Sequence, residues 1–311
     1  MVKKFVALML VLVLSFSMAA CGSGDSSSAD KKKVTKEGGK IVVNYWHAMG
    51  GSSGEALEEL VKKFNESHKD IQVNAQFQGS YEEVLNKLKQ VQGTDETPAV
   101  VQLFGIGNRE MIDTGDITPM YKFMEKDNFD TSVFRKNVLA FYTFNDKIYS
   151  MPFSTSNAIM FYNKDAFKEA GLDPEKPPQT YSEIEEAAKK LTVKKGSKTE
   201  RYGFSFMIYG WLFEQLMANQ GALIVDHDNG RTGERAEKAV FNSDEGVQIM
   251  EWLNRMYKEG INASYGRNNA NVETAFKSGK VAMIIASSAS TAAIVNESKF
   301  EVGTTFLPVP D

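Results

Sequence analysis

Ile41–Gly54, IVVNYWHAMGGSSG, is the stretch whose reading decides the fold. Ile41, Val42, Val43 and Tyr45 are β-formers in a short apolar run. Trp46 and His47 stand where that strand should stop. Gly50, Gly51, Ser52, Ser53 and Gly54 then supply turn chemistry and a cap for a helix from about Glu55. In an open α/β sheet, ligands bind outside the carboxyl ends of the strands. The spacing therefore places Trp46, His47 and a helix N-terminus at such an edge. A surface turn with an incidental Trp would explain the same residues, so the neighbouring chain has to decide.

Working outward, Leu57, Leu60, Val61 and Phe64 recur at helical spacing within Glu55–His68. Ile71, Val73, Ala75 and Phe77 alternate with polar residues as a strand. Gly79 and Ser80 break it, and Tyr81 opens a helix through Val91 with Val84, Leu85 and Leu88 inward. Pro98–Phe104 is a short strand of the parallel type, buried on both faces. The order β-α-β-α-β predicts a parallel sheet with crossover helices.

On the amino side, Lys3 and Lys4 precede the mostly apolar Phe5–Met18, followed by Ala19, Ala20 and Cys21. That is a secretory signal, too short for a span of about 20 apolar residues. Met18-Ala19-Ala20-Cys21 resembles a bacterial lipobox in which the cysteine is lipidated, with Met18 in place of the usual Leu. Cys21 is the only cysteine in the chain, so no intrachain disulfide forms. Residues 22–39, rich in Ser, Gly and Lys, read as a flexible tether. The net charge is −4 with signs interspersed, and no basic stripe argues for nucleic acid.

On the carboxyl side, a helix is expected over Thr131–Phe141, an extended segment over Lys147–Phe153, and a strand over Ala158–Tyr162. The polar cluster Ser154-Thr155-Ser156-Asn157 marks a crossing between lobes. Asn163–Ala170 is a capped helix, and Thr180-Tyr181-Ser182-Glu183 is a capping-box pattern. Arg201–Ser205 reads as a strand, Gly210–Asn219 as a helix headed by Trp211, and Asp244–Lys258 and Asn271–Ser278 as helices. Val281–Ala286 is a buried strand ending at Ser287-Ser288. A helix over Ala289–Asn296 and a strand over Glu301–Leu307 close the chain.

Other chemistry finds little support. His47, His68 and His227 are scattered and offer no paired metal spacing. Asp226-His227-Asp228-Asn229-Gly230 hints at a calcium loop, but Arg231 stands where glycine is needed. No G-x-S-x-G and no P-loop lysine appear. Glu110, Asp113 and Asp116 read as a solvated helix end rather than an acid/base pair.

Several stretches resemble the extracellular solute-binding proteins of ABC importers, and within them the glycerol-3-phosphate-binding type. They are Tyr45-Trp46-His47-Ala48-Met49, Gly79-Ser80-Tyr81-Glu82, Pro98-Ala99-Val100-Val101-Gln102, Tyr162–Phe167 with Ala170–Pro174, Gly210-Trp211, Tyr265-Gly266-Arg267, Phe276–Met283 and Ala286-Ser287-Ser288. The resemblance runs from Ile41 to Pro310. It implies a two-lobed α/β fold of the periplasmic-binding-protein type, with mostly parallel sheets flanked by helices and a ligand cleft between lobes. Lobe one would hold 40–153 plus 289–311, and lobe two 154–288. Family members run well past 311 residues, so a further C-terminal segment of lobe one is expected.

The resemblance also implies a function. The chain would capture a carbohydrate or polyol phosphate, without cofactor or catalysis, and deliver it as a monomer to membrane permease subunits. It would be exported and held by its lipid at the outer face of the bacterial cell membrane. A ligand-presenting sensor subunit for a membrane kinase uses the same fold, and an exported carbohydrate-active enzyme is the remaining alternative. Candidate ligand contacts are Trp46, His47, Tyr81, Gly105, Thr155, Ser156, Trp211, Ser287 and Ser288, while Arg267 reads first as a loop support and second as a group reaching phosphate. They supply ring faces for C–H patches and hydrogen bonds for hydroxyls. Two positions depart from the glycerol-phosphate type, which carries a Glu where this chain has Gly105 and a second Trp where it has Ile208. A bulkier ligand, such as a disaccharide or a glycerophosphodiester, would use the vacated space.

Overall fold

The computed structural model describes residues 35–311. They fall into two compact units that divide between Ile117 and Thr118. The signal segment, Cys21 and most of the tether lie outside the described residues.

The first unit is built on β2 (Lys40–His47). It runs parallel to β3 (Ile71–Phe77) from Ile41↔Ile71 to His47↔Phe77. On its other side its carboxyl half pairs in parallel with β4 (Val100–Val101), and its amino end pairs antiparallel with β1 (Lys36–Glu37). The expected tether thus ends in a hairpin. Gly38 and Gly39 both take positive φ, +56° and +85°, which a two-residue hairpin turn favours.

Helices α1 (Gly51–Ser67), α2 (Tyr81–Val91) and α3 (Gly105–Thr114) follow β2, β3 and β4. The α1 helix begins four residues before Glu55, taking in the glycines read as a turn. Gly54 packs so close to the Met49 carbonyl that a Cβ would lie 2.8 Å from its oxygen, which only glycine permits inside that first turn. A capping box between Ser80 and Glu83 starts α2. Leu85 and Leu88 then meet Met111 of α3, with Val101, Leu103, Phe104 and Ile117 packed around them.

The second unit begins with α4 (Met120–Asp127), α5 (Lys136–Tyr142) and the hairpin β5 (Thr143–Phe144) and β6 (Lys147–Ile148). The helix expected over Thr131–Phe141 is interrupted, because Phe134 and Arg135 are extended between a short 3-10 turn and α5. The main sheet has the order β10 (Asn262–Ala263), β9 (Lys198–Phe206), β11 (Val281–Ser287), β7 (Ala158–Asn163), β12 (Val302–Thr305), with β8 (Val193–Lys195) folded back on β9. Strands β9, β10 and β11 are parallel, and β7 runs antiparallel to β11 and β12.

Helices α6 (Lys164–Glu169), α7 (Tyr181–Leu191), α8 (Gly210–Asn219), α9 (Asp244–Lys258), α10 (Asn269–Lys277) and α11 (Thr291–Glu297) complete this unit. Trp252 of α9 is fully buried, stacked on Tyr181 at 4.4 Å and donating its indole N–H to the Tyr181 carbonyl at 3.0 Å.

Two expected boundaries differ from the observed ones. The expected lobe one takes in residues 118–153, which cluster with the second unit, where the Arg231 guanidinium donates to the Phe141 carbonyl at 3.1 Å. Residues 302–305, also expected in lobe one, form β12 of the second unit's sheet. Strand alternation shows that Glu301–Leu307 is a strand but not which sheet receives it. The Asp226–Gly230 segment is a tight turn with His227, Asp228 and Asn229 all left-handed. Its polar side chains serve the backbone: Asn229 accepts from the Ile224 and Val225 N–H groups, and Asp226 from those of Glu237 and Lys238.

Candidate functional site

In the first unit, β2, β3 and β4 point the same way, and each is followed by the start of a helix. Their carboxyl ends and three helix N-termini therefore gather at one edge. Strands β3 and β4 flank β2, an order that opens a crevice beside β2.

Trp46 is half-buried there, and its indole N–H donates to the Gln76 side-chain oxygen at 2.8 Å. That donor is committed, so the indole offers a ligand its ring. His47 differs from expectation: it is only 3% exposed, set between Tyr45 and Phe77 at ring distances of 5.6 and 6.0 Å. Its Nδ1 accepts the Met49 N–H at 3.3 Å. Burial holds its pKa below the ordinary value, against the opposing pull of Glu58. Alternation along β2 turns His47 inward with Tyr45, so it shapes the strand-to-helix turn. Gln102 braces the same turn by accepting the Ala48 N–H at 3.0 Å.

Tyr81 opens α2 with its ring stacked on Phe104 at 5.7 Å and 9°. Burial raises the pKa of Tyr81, and burial together with nearby Tyr81 raises that of Tyr45. Both phenols therefore keep their protons and remain donors. Gly105 is exposed as the first residue of α3, and no side chain caps that helix. The sequence reading missed Tyr45 and Phe104, although Tyr45 shares the His47 face of β2 by simple alternation.

In the second unit, parallel β9, β10 and β11 end where antiparallel β7 begins, as the Ser287↔Ala158 pairing shows. The Ser287 hydroxyl accepts the Ala289 N–H at 3.2 Å. The Ser288 hydroxyl accepts the Asn157 N–H at 3.1 Å, and the Ser288 N–H donates to the Asn157 carbonyl at 2.8 Å. Each serine thus uses its oxygen as an acceptor and keeps its O–H to donate. Thr155 is exposed and Ser156 half-buried just before Asn157.

Trp211, second residue of α8, leans half-buried on the unit's core. Ile208 is 57% exposed, and its N–H donates to the Gly266 carbonyl at 3.1 Å. That bond ties Tyr265-Gly266-Arg267 to the loop entering α8. Arg267 is exposed. The structure therefore brings Trp46, Tyr81 and Gly105 together at one sheet edge, and Thr155, Ser156, Trp211, Ser287 and Ser288 at the corresponding edge of the other unit. His47 alone is turned away.

Two α/β units, each with rings and hydroxyls at the carboxyl ends of its parallel strands, are the architecture of a solute-binding protein. Residues 50–311 match the family of bacterial extracellular solute-binding proteins, and the chain belongs to that family. It is similar to the periplasmic protein UgpB of Salmonella typhimurium, described as sn-glycerol-3-phosphate-binding, with 33% identity over 272 residues, 86% of this chain and 61% of that protein. The Pectobacterium atrosepticum protein of the same description is 32% identical, over 93% of this chain and 64% of its own length. The chain thus spans about three fifths of the length of these relatives.

Among solved structures, UgpB from Mycobacterium tuberculosis in complex with glycerophosphocholine superposes with a TM-score of 0.74 at 23% identity, over 88% of this chain and 66% of that one. The ABC substrate-binding protein Lmo0181 from Listeria monocytogenes, in complex with cycloalternan, gives 0.73 at 26% identity, over 87% and 67%. These likenesses establish the two-lobed α/β fold class.

Proposed function

We propose that this protein captures a polyol phosphate or a carbohydrate outside the cell and hands it to the permease subunits of an ABC importer. Family membership supports the class, and one observation carries the site. The Ser288–Asn157 tie joins the end of β11 to the start of β7, next to which Thr155, Ser156, Ser287 and Ser288 stand in the chain, on the sheet whose β9 leads into the helix headed by Trp211. Hydroxyls with unused donors, on a sheet edge that also leads to Trp211, suit a ligand that is itself rich in hydroxyls. Binding is non-covalent and needs no cofactor.

The ligand we favour is a glycerol phosphate ester larger than glycerol 3-phosphate itself. Gly105 has no side chain and Ile208 is mostly exposed, so both positions leave room. The exposed Arg267 suits a phosphate. Tryptophan-fluorescence titration of the full chain with glycerophosphocholine, glycerol 3-phosphate and maltose tests this. Saturation by glycerophosphocholine at the lowest concentration is expected. A response to maltose alone would replace the phosphate ester with a sugar.

Export, lipidation at Cys21, the monomeric state and delivery to a permease are parts of the same proposal. Cys21→Ala should release the protein from membranes into the medium. Retention of the variant at the membrane would defeat the anchor.

A further inference from the structure

The outer edge of β3 carries an unusual contact. In the pairing with β2, the even-numbered positions face the partner strand: the Gln78 N–H donates to the His47 carbonyl at 2.9 Å, and the Ile41 N–H to the Asp70 carbonyl at 2.8 Å. The backbone N–H and C=O groups of Ile71, Val73, Ala75 and Phe77 therefore point away from β2. Among the described residues no strand lies on that side. An edge of this length, with open donors and acceptors, is a template for another strand.

One step of the edge is filled. Asn65, near the end of α1, donates its side-chain N–H to the Val73 carbonyl at 2.9 Å, and its Oδ1 accepts the Val73 N–H at 2.8 Å. A carboxamide presents a donor and an acceptor side by side, as a paired strand residue does. Asn65 thus completes one rung of a ladder, at the second of the four outward positions. Ile71, Ala75 and Phe77 have no such partner among the described residues.

The partner this edge suits is a second copy of itself. In IQVNAQF, apolar and polar side chains alternate. An antiparallel copy centred on Val73 sets Val73 against Val73, Ile71 against Ala75, and Gln72 against Asn74. Over Ile71–Ala75 apolar residues meet apolar ones and amides meet amides about a two-fold axis, while Gln76 and Phe77 fall opposite Asp70 and Lys69 beyond the strand. The central rung of that dimer needs the Val73 N–H and C=O, which Asn65 occupies. We propose that Asn65 holds the protein monomeric by closing the Val73 rung, so that β3 cannot pair with β3 of another copy.

Amide exchange on the full wild-type chain gives the first test. The Val73 amide should exchange at least about tenfold more slowly than those of Ile71, Ala75 and Phe77. Equal protection at all four would overturn the proposal, because the edge would then be covered some other way. In sedimentation velocity, wild type should stay monomeric, and Asn65→Ala should show a concentration-dependent dimer with protection spread over all four amides. A folded, monomeric Asn65→Ala variant would also overturn it. The double variant Asn65→Ala/Ala75→Pro removes an outward N–H that the added strand needs, so it should return to monomer. Persistent association there would show a route other than β3 and defeat the assignment.

Discussion

The Ser288 hydroxyl accepts the backbone N–H of Asn157 at 3.1 Å, joining two residues 131 positions apart in sequence. The bond fixes the entry of β7 against the exit of β11, where the strands run in opposite directions. The carbonyl of Asn157 already holds the Ser288 N–H at 2.8 Å, so the hydroxyl is a second, separable tie on the loop carrying Thr155 and Ser156.

Ser288→Ala should therefore leave the strands paired and loosen the loop. The variant also removes the O–H proposed to donate to the ligand, a hydrogen bond worth about 0.5–1.5 kcal/mol net, so glycerophosphocholine affinity should fall by about 2–13-fold while the Tm changes little. Calorimetric titration beside a thermal melt checks this. A large fall in Tm with unchanged affinity would make the bond purely structural.

Much of this arrangement is legible from sequence. The alternation of Ile71–Phe77, the helical spacing of Leu57–Phe64 and the Thr180–Glu183 capping pattern each have a local cause, and local causes are what a sequence displays. The position of β12 is not legible, because Val302–Thr305 has the same pattern whichever sheet receives it. His47 shows the same limit at the site. Its neighbours suggest an exposed rim, while in the fold its ring is covered between Tyr45 and Phe77. Asn65 was unreadable as well, since an asparagine late in a helix looks like any solvated residue until the strand edge beside it is known.

Glu214, one helical turn after Trp211, is half-buried and has no hydrogen-bond or ion-pair partner among the described residues. Burial raises its pKa. The folded state thus holds its proton more tightly than the unfolded chain, and stability falls as pH rises from the ordinary glutamate value of about 4.3 through the raised one. Glu214→Gln should lift the Tm at neutral pH by about 1–3 °C and flatten that slope. If the variant also weakens glycerophosphocholine binding, the carboxylate is kept for the ligand at a cost in stability. If binding is unchanged, Glu214 has no part in the site.

His47 gives the opposite slope. Its folded pKa is depressed, so the unfolded chain takes up the proton first as pH falls. Stability should be at its full value above the ordinary histidine pKa of about 6.5 and decline as pH drops from there toward the depressed value. The ion pairs of Glu301, whose pKa is lowered by Lys164 and Lys168, are lost only in the more acid carboxylate range. His47→Gln should remove the decline just below neutrality and leave the more acid one. Thermal melts at closely spaced pH values separate the two, and an unchanged profile in the variant would assign the first decline elsewhere.

Gly303 tests the placement of β12. It pairs with Tyr162 of β7, whose ring lies so close that a Cβ at position 303 would overlap it. The ring has little freedom to move, because Tyr162 donates its hydroxyl to the Pro174 carbonyl at 2.8 Å and packs on Phe167 at 4.9 Å. Gly303 does not have a positive φ, so an alanine there adds no backbone strain and any effect comes from packing alone. Gly303→Ala should destabilise the second unit by about 1–3 kcal/mol, the usual cost of overfilling a packed site. Amide exchange would locate the loss: β7 and β12 should lose protection while β2 and β3 keep theirs. If alanine is accepted with the Tm unchanged, β12 does not lie against Tyr162, and the carboxyl-terminal strand belongs to another sheet.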